Sequence, residues 1–132
     1  MGLDQTATFP SGALPGWPAV RDLLSRRGFP VQVRMIDGEL AFPDEEPAAG
    51  WRELRLGTPQ GMVTVRREAD RLVFVTWGNA DAALRQAWNA VAWAFAEAGG
   101  GQLLTAAGPR SAAEFQRDAD LPASLRFASP SP

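Results

Sequence analysis

NADAALRQAWNAVAWAFAEAGGG (Asn79–Gly101) reads as the one long helix of the chain, placed after a run of strand-like segments and stopped by three glycines. Asn79 is a favoured N-cap, because its side-chain oxygen accepts from backbone N–H groups that lack helical partners. Asp81 follows in the first turn, where a negative charge suits the positive end of the helix dipole. Alanine fills the interior at minimal side-chain entropy cost, and Gly99, Gly100 and Gly101 permit the left-handed turn that commonly ends a helix. The spacing predicts a helix over Asn79–Ala98. Leu84, Ala87, Trp88, Val91, Ala94, Phe95 and Ala98 share one face at about 100° per residue. Trp93 falls nearly opposite, among Gln86, Asn89 and Glu97. It is expected at a contact surface, where tryptophan is over-represented.

Upstream, Trp51–Trp77 reads as a three-strand meander. A turn at Thr58-Pro59-Gln60-Gly61 pairs Leu56 with Val63, Leu54 with Val65, and Glu53 with Arg66. A second turn at Glu68-Ala69-Asp70 pairs Val65 with Val73 and Val63 with Val75. Both registers put Leu54, Leu56, Val63, Val65, Val73 and Val75 on one face, with Trp77 at its end. The opposite face then carries Trp51, Glu53, Arg55, Thr64, Arg66, Leu72, Phe74 and Thr76. Aromatics beside arginines are enriched at protein interfaces, although the chain's own helix or tails would also serve as cover.

Before the meander, Asp37-Gly38 between VQVRMI and ELAF is a strong short-range hairpin signal. Its two-residue turn pairs Ile36 with Glu39, Met35 with Leu40 and Val33 with Phe42. Val31, Val33, Met35, Leu40 and Phe42 are thereby expected on one face. The loop Pro43–Gly50 (PDEEPAAG) is acidic but lacks the alternating spacing of an EF-hand, and reads as solvated.

Residues 1–16, rich in Gly, Pro, Ser and Thr, are expected to be a loose arm. A short helix follows over Trp17–Arg27, with Pro18 in its first turn, Gly28 beyond its end, and Phe29 folding back onto it. Downstream of the long helix, Gln102–Thr105 reads as a short strand. Ser111-Ala112-Ala113-Glu114 has the capping-box spacing and starts a brief helix through Asp118. LPASLRFASPSP closes the chain as an extended tail with Leu121, Leu125 and Phe127 as anchors. The organisation expected is an arm (1–16), one α+β domain (17–118) and a tail (119–132).

The composition removes much chemistry. With no histidine and no cysteine in 132 residues, the serine–histidine triad, thiol nucleophiles and the usual zinc ligands are excluded. Lysine is absent too, so neither a Schiff base nor a P-loop lysine is available. Carboxylate acid–base chemistry survives, with Asp37, Glu39, Asp44, Glu45, Glu46 and Glu53 as its candidates. None is singled out by its neighbours, and no catalytic residue, cofactor or metal site is assigned. A net charge of −2 and a pI near 5.1 argue against a nucleic-acid binder. No apolar run approaches the roughly 20 residues of a membrane span, and the N-terminus lacks the layout of a secretory signal. The chain is assigned to the cytoplasm. Met1–Thr6 matches the short myristoylation pattern, but no polybasic stretch follows to supply a second anchor.

The fold expected is α+β: an antiparallel sheet of about five strands packed against the long helix, with shorter helices at either end. The function expected is a non-enzymatic protein-interaction module, self-associating as a homodimer or binding a partner protein through Trp93, Trp51, Arg55, Arg66 and Phe74. A small-ligand binder or carboxylate enzyme is the alternative. In outline the size, acidity and helix–strands–helix order resemble bacterial secretion chaperones and toxin-neutralising immunity proteins. That likeness is of architecture, with no motif behind it, and implies binding of a partner protein.

Overall fold

Side chains alternate across a strand, so a single turn of unexpected length decides which of them are buried. The computed structural model describes residues 2–10, 14–42, 44–77 and 79–126. It is α+β, with one antiparallel sheet. In chain order the elements are β1 (Gly2–Thr8), α1 (Trp17–Arg26), β2 (Gln32–Ile36), β3 (Glu39–Leu40), β4 (Glu53–Thr58), β5 (Gly61–Glu68), β6 (Arg71–Trp77), α2 (Ala82–Gly99), β7 (Gln102–Thr105), β8 (Gly108–Ser111) and α3 (Ala112–Asp118). The sheet has eight strands rather than about five, in the order β3-β2-β4-β5-β6-β1-β7-β8. α2 lies across β5, β6, β1 and β7, while α1 and α3 pack against α2.

The first meander turn has the expected register, with Glu53 opposite Arg66, Leu54 opposite Val65 and Leu56 opposite Val63. The second does not. Glu68 pairs with Arg71 across a two-residue turn, so Val65 faces Phe74 and Arg66 faces Val73. Ala69 supplies the positive φ that this turn requires, at 58°. That one-residue shift exchanges the faces of β6. Leu72, Phe74 and Thr76 are buried beside Leu54, Leu56, Val63 and Val65, and Val73 and Val75 move to the outer side. The puzzling outward Leu72 and Phe74 are thus core residues.

The Asp37-Gly38 hairpin forms with φ of 51° and 85°, pairing Ile36 with Glu39 and Met35 with Leu40. A register shift between Val33 and Met35, where β2 meets β4, leaves Arg34 as the extra residue. Such a bulge turns the following residues over. Val31 and Val33 are buried, but Leu40 is 86% and Phe42 75% exposed, because β3 ends at Leu40 and lies beyond the bulge.

Residues expected to be a loose arm instead form β1, which runs between β6 and β7 and pairs with both. Gln5 and Ala7 point into the core. α1 ends as expected, with Gly28 at φ 78° and the buried Phe29 returning its N–H to Leu24 O at 2.9 Å. α2 begins later than expected, since Asp81 and not Asn79 is the N-cap and accepts from Leu84 N. Gly100 ends it at φ 64°. α3 carries the full capping box between Ser111 and Glu114. Beyond it, Leu121 and Leu125 are fully buried around a short 3-10 turn, Ala123–Leu125, so this part of the expected tail belongs to the core. Phe127 lies outside the described residues. No helix among the described residues is long and apolar enough to cross a membrane.

Candidate functional site

Of the five residues expected to form an interaction surface, only two are exposed. Arg55 and Arg66 stand on the outer face near Glu53, at 3.9 and 3.2 Å from its carboxylate. Trp93, Trp51 and Phe74 are buried, at 2%, 5% and 0% exposure. Phe95 is the reason for two of these: Trp51 and Phe74 converge on it with centroid distances of 6.5 and 5.6 Å, and Trp17 joins at 6.2 Å. Trp93 is enclosed because α2 is covered on more than one side. Every residue from Ala90 to Ala96 is buried, and the Arg27 guanidinium lies over the Trp93 ring at 5.6 Å. A helix that is apolar all round is an interior helix. Trp93, Trp51 and Phe74 therefore do not share an exposed face with Arg55 and Arg66.

A different site is built where β1 runs past the end of β7. β7 meets β1 through Thr6–Thr8, so Asp4 and Gln5 continue alongside β6 with no strand on their other side among the described residues. The gap is closed by the turn after β7, by α3 and by the middle of α2. It is a cleft of about 480 Å³, with Trp88 and Phe115 as aromatic walls and Ala106, Ala107 and Ala119 as small apolar lining.

The register explains why two polar side chains meet there. On the inner face one row crosses five strands: Ile36, Leu54, Val65, Phe74, then Gln5. On the outer face a neighbouring row runs Leu40, Met35, Arg55, Thr64, Val75, then Asp4. Gln5 is the polar end of an otherwise apolar row and is only 7% exposed.

Its orientation is dictated by its partners. The Asp120 carbonyl can only accept, and it takes Asn89 Nδ2 at 2.9 Å. Asn89 must then present Oδ1 to Gln5, which donates from Nε2 at 2.9 Å. Gln5 Oε1 is left as an acceptor, with no donor among the described residues, in a side chain that lines the cleft. That oxygen is not a buried, unpaired atom; it is an acceptor on a pre-oriented amide that solvent reaches, available to a donor entering the cleft. Sequence reasoning missed Gln5 because DQTAT carries no apolar alternation strong enough to announce a central strand.

The carboxylates considered for acid–base chemistry are dispersed. Asp37 Oδ1 takes the backbone N–H groups of Arg52 and Glu53 at 2.7 and 2.8 Å, which holds its carboxyl below the ordinary aspartate value. Glu45 accepts from Phe42 N, Glu46 pairs with Arg21, and Glu53 with Arg66. Among the described residues no cluster of acidic side chains gathers as a metal site. A second cleft, about 500 Å³, lies between Trp17, Trp51 and Arg67. There Arg67 stacks on Trp51 at 4.6 Å and donates from Nη1 to Ala49 O, while its buried Nε has no acceptor among the described residues. Scans against protein-family models, curated proteins and solved structures give no match.

Proposed function

We propose that this chain is a non-enzymatic binding domain whose ligand site is the cleft between β1, the turn after β7, α2 and α3. The observation that carries this reading is the buried Gln5 side chain, held through its Nε2 by Asn89, which Asp120 O holds in turn, in a cleft walled by Trp88 and Phe115. Ligand pockets are typically apolar with a few fixed polar groups that set orientation, and this cleft supplies both. The test is a screen of small aromatic compounds, followed by the side-chain amide resonances of Gln5 and Asn89 and the indole N–H of Trp88. Saturable shifts at these groups, lost in Gln5→Leu, support the reading. Binders that shift only other regions, or bind Gln5→Leu unchanged, overturn it.

A second reading rests on Leu40 and Phe42, exposed at 86% and 75% beside the edge strand β3. We propose that this end engages a partner protein or a second copy of the chain, the role expected from the sequence but at different residues. Light scattering on wild type and on the Leu40→Glu/Phe42→Glu double variant tests self-association. A larger mass for wild type alone supports it, and equal masses leave a heterologous partner to be sought by using the double variant as the control.

A further inference from the structure

Asp4 and Gln5 are consecutive on β1, so their side chains stand on opposite faces of the sheet. One cleft nonetheless touches both. It must therefore open along the edge of the strand, where the backbone itself is the floor. The turns on either side fix which backbone groups point there. Glu68 and Arg71 flank a two-residue turn and face each other as a hydrogen-bonded pair. Alternation along β6 then directs the N–H and C=O of Phe74 at Gln5. From the other side, Thr105 and Gly108 flank the turn after β7, and alternation directs Leu104 at Thr6. Both routes give the same answer. Gln5 is bonded to β6, and the N–H and C=O of Asp4 point away from β6 into the gap, with no partner among the described residues.

The charged side chains of the cleft favour neither sign, since Arg85 and Arg110 balance Asp4 and Asp118. What stays open is one donor and one acceptor on an extended backbone, beside an apolar pocket. A second extended backbone presents the matching acceptor and donor at that spacing. From this we infer that the cleft takes an extended peptide segment of a partner protein, added as a strand beside Asp4. The inference rests on the cleft being a binding site. The guest residue opposite Asp4 exchanges both backbone hydrogen bonds with it and keeps its side chain on the outer face. The guest residue next to it turns to the inner face, the face of Gln5, and enters the space between Trp88 and Phe115. That residue is apolar or aromatic, and the small side chains of Ala107 and Ala119 leave room for it. β7 itself cannot fill this place, because the chain turns at Ala106-Ala107 into β8.

The deciding experiment titrates the whole chain with the blocked peptide acetyl-Thr-Thr-Phe-Thr-Thr-amide, read by the backbone amide of Asp4 and the indole N–H of Trp88. Two analogues carry N-methyl groups, one on the phenylalanine nitrogen and the other on both threonines beside it. In an added strand the phenylalanine N–H points away from β1, and that of the threonine opposite Asp4 points at it. The first analogue is expected to bind as the parent does. The second is expected to bind about tenfold more weakly, the upper end of one lost hydrogen bond. Hydrogen exchange at the Asp4 amide is expected to slow on saturation with the parent peptide. Asp4→Pro removes an N–H that has no partner within the fold and is expected to abolish binding, while Asp4→Thr is expected to keep it. Where Asp4→Pro melts early, the methylated pair decides. Equal binding of the two analogues, or shifts at Trp88 from small aromatic compounds with none at Asp4 from the peptide, overturns the added strand and leaves the pocket standing. No shift at Trp88 or Asp4 from peptide or aromatic compounds removes the binding site as well. Protection of Asp4 that rises with the chain's own concentration, with a doubled mass by light scattering, assigns the edge to a second copy and overturns the peptide.

Discussion

Gln5 Nε2 donates to Asn89 Oδ1 at 2.9 Å, joining residues 84 positions apart. Asn89 in turn binds Asp120 O, so one side chain on α2 ties the sheet to the segment after α3. Asn89→Ala strands both the Gln5 amide and the Asp120 carbonyl. The expected cost is about 1–3 kcal/mol, read from urea melts. A loss of only a few tenths would mean that water replaces Asn89 without penalty.

Trp93 is enclosed, and its indole N–H has no acceptor among the described residues. Trp93→Ala is expected to destabilise by about 3–5 kcal/mol through the cavity it leaves. Trp93→Phe keeps most of the ring area and removes an unsatisfied donor, so it should cost less than half as much. Thermal melts of the two variants decide, and equal costs would contradict the assignment of the indole nitrogen as unpaired.

Ala69 holds φ at 58°, a left-handed conformation that costs a residue with a Cβ about 1–2 kcal/mol. Glycine adopts it without that penalty, at the expense of some unfolded-state entropy. Ala69→Gly is therefore expected to stabilise the chain by about 0.5–1 kcal/mol in denaturant melts. A destabilised variant would indicate that β5 and β6 are joined by a longer turn and that the register of β6 is different.

Asp37 accepts the Arg52 and Glu53 N–H groups, and these lower its carboxyl below the ordinary aspartate range. A group depressed on folding contributes stability above its unfolded value and loses it as pH falls through its folded value. The substitution Asp37→Asn keeps an acceptor oxygen, and asparagine suits the same turn. The variant should show a shallower loss of stability on acidification through the acidic carboxylate range, with little change at neutral pH. Identical acid profiles for the two proteins would remove Asp37 from the acid response.

How far the fold can be read ahead depends on whether a turn announces its length. Asp37-Gly38 and Thr58-Pro59-Gln60-Gly61 contain residues whose conformational preferences specify the turn, and both registers are legible. Ala69 carries no such signal, so the meander's last strand reads on the wrong face and Leu72 and Phe74 with it. β1 is illegible for a different reason: in its described part the inward side chains are Gln5 and Ala7, and neither is a strong strand former. The site shares that fate. Trp88 falls on the inward stripe of α2, but the amide that gives its cleft a direction lies in a segment that reads as an arm. Trp93 misleads because a single stripe is drawn on a helix that α1, α3 and the sheet together enclose.

The position of β1 also bears on how the chain assembles. It is synthesised before either of its neighbours, and the nearer one, β6, begins only at Arg71, while β7 must wait for Gln102. Until then the hairpins from β2 to β6 form a five-stranded partial sheet whose β6 edge is open. Local hairpins can zip early, but this closure pairs segments far apart in sequence and is the slow kind. An exposed strand edge invites pairing with other chains while it lasts. The interval between completion of β6 and insertion of β1 is thus when a nascent chain is most prone to pair with its neighbours.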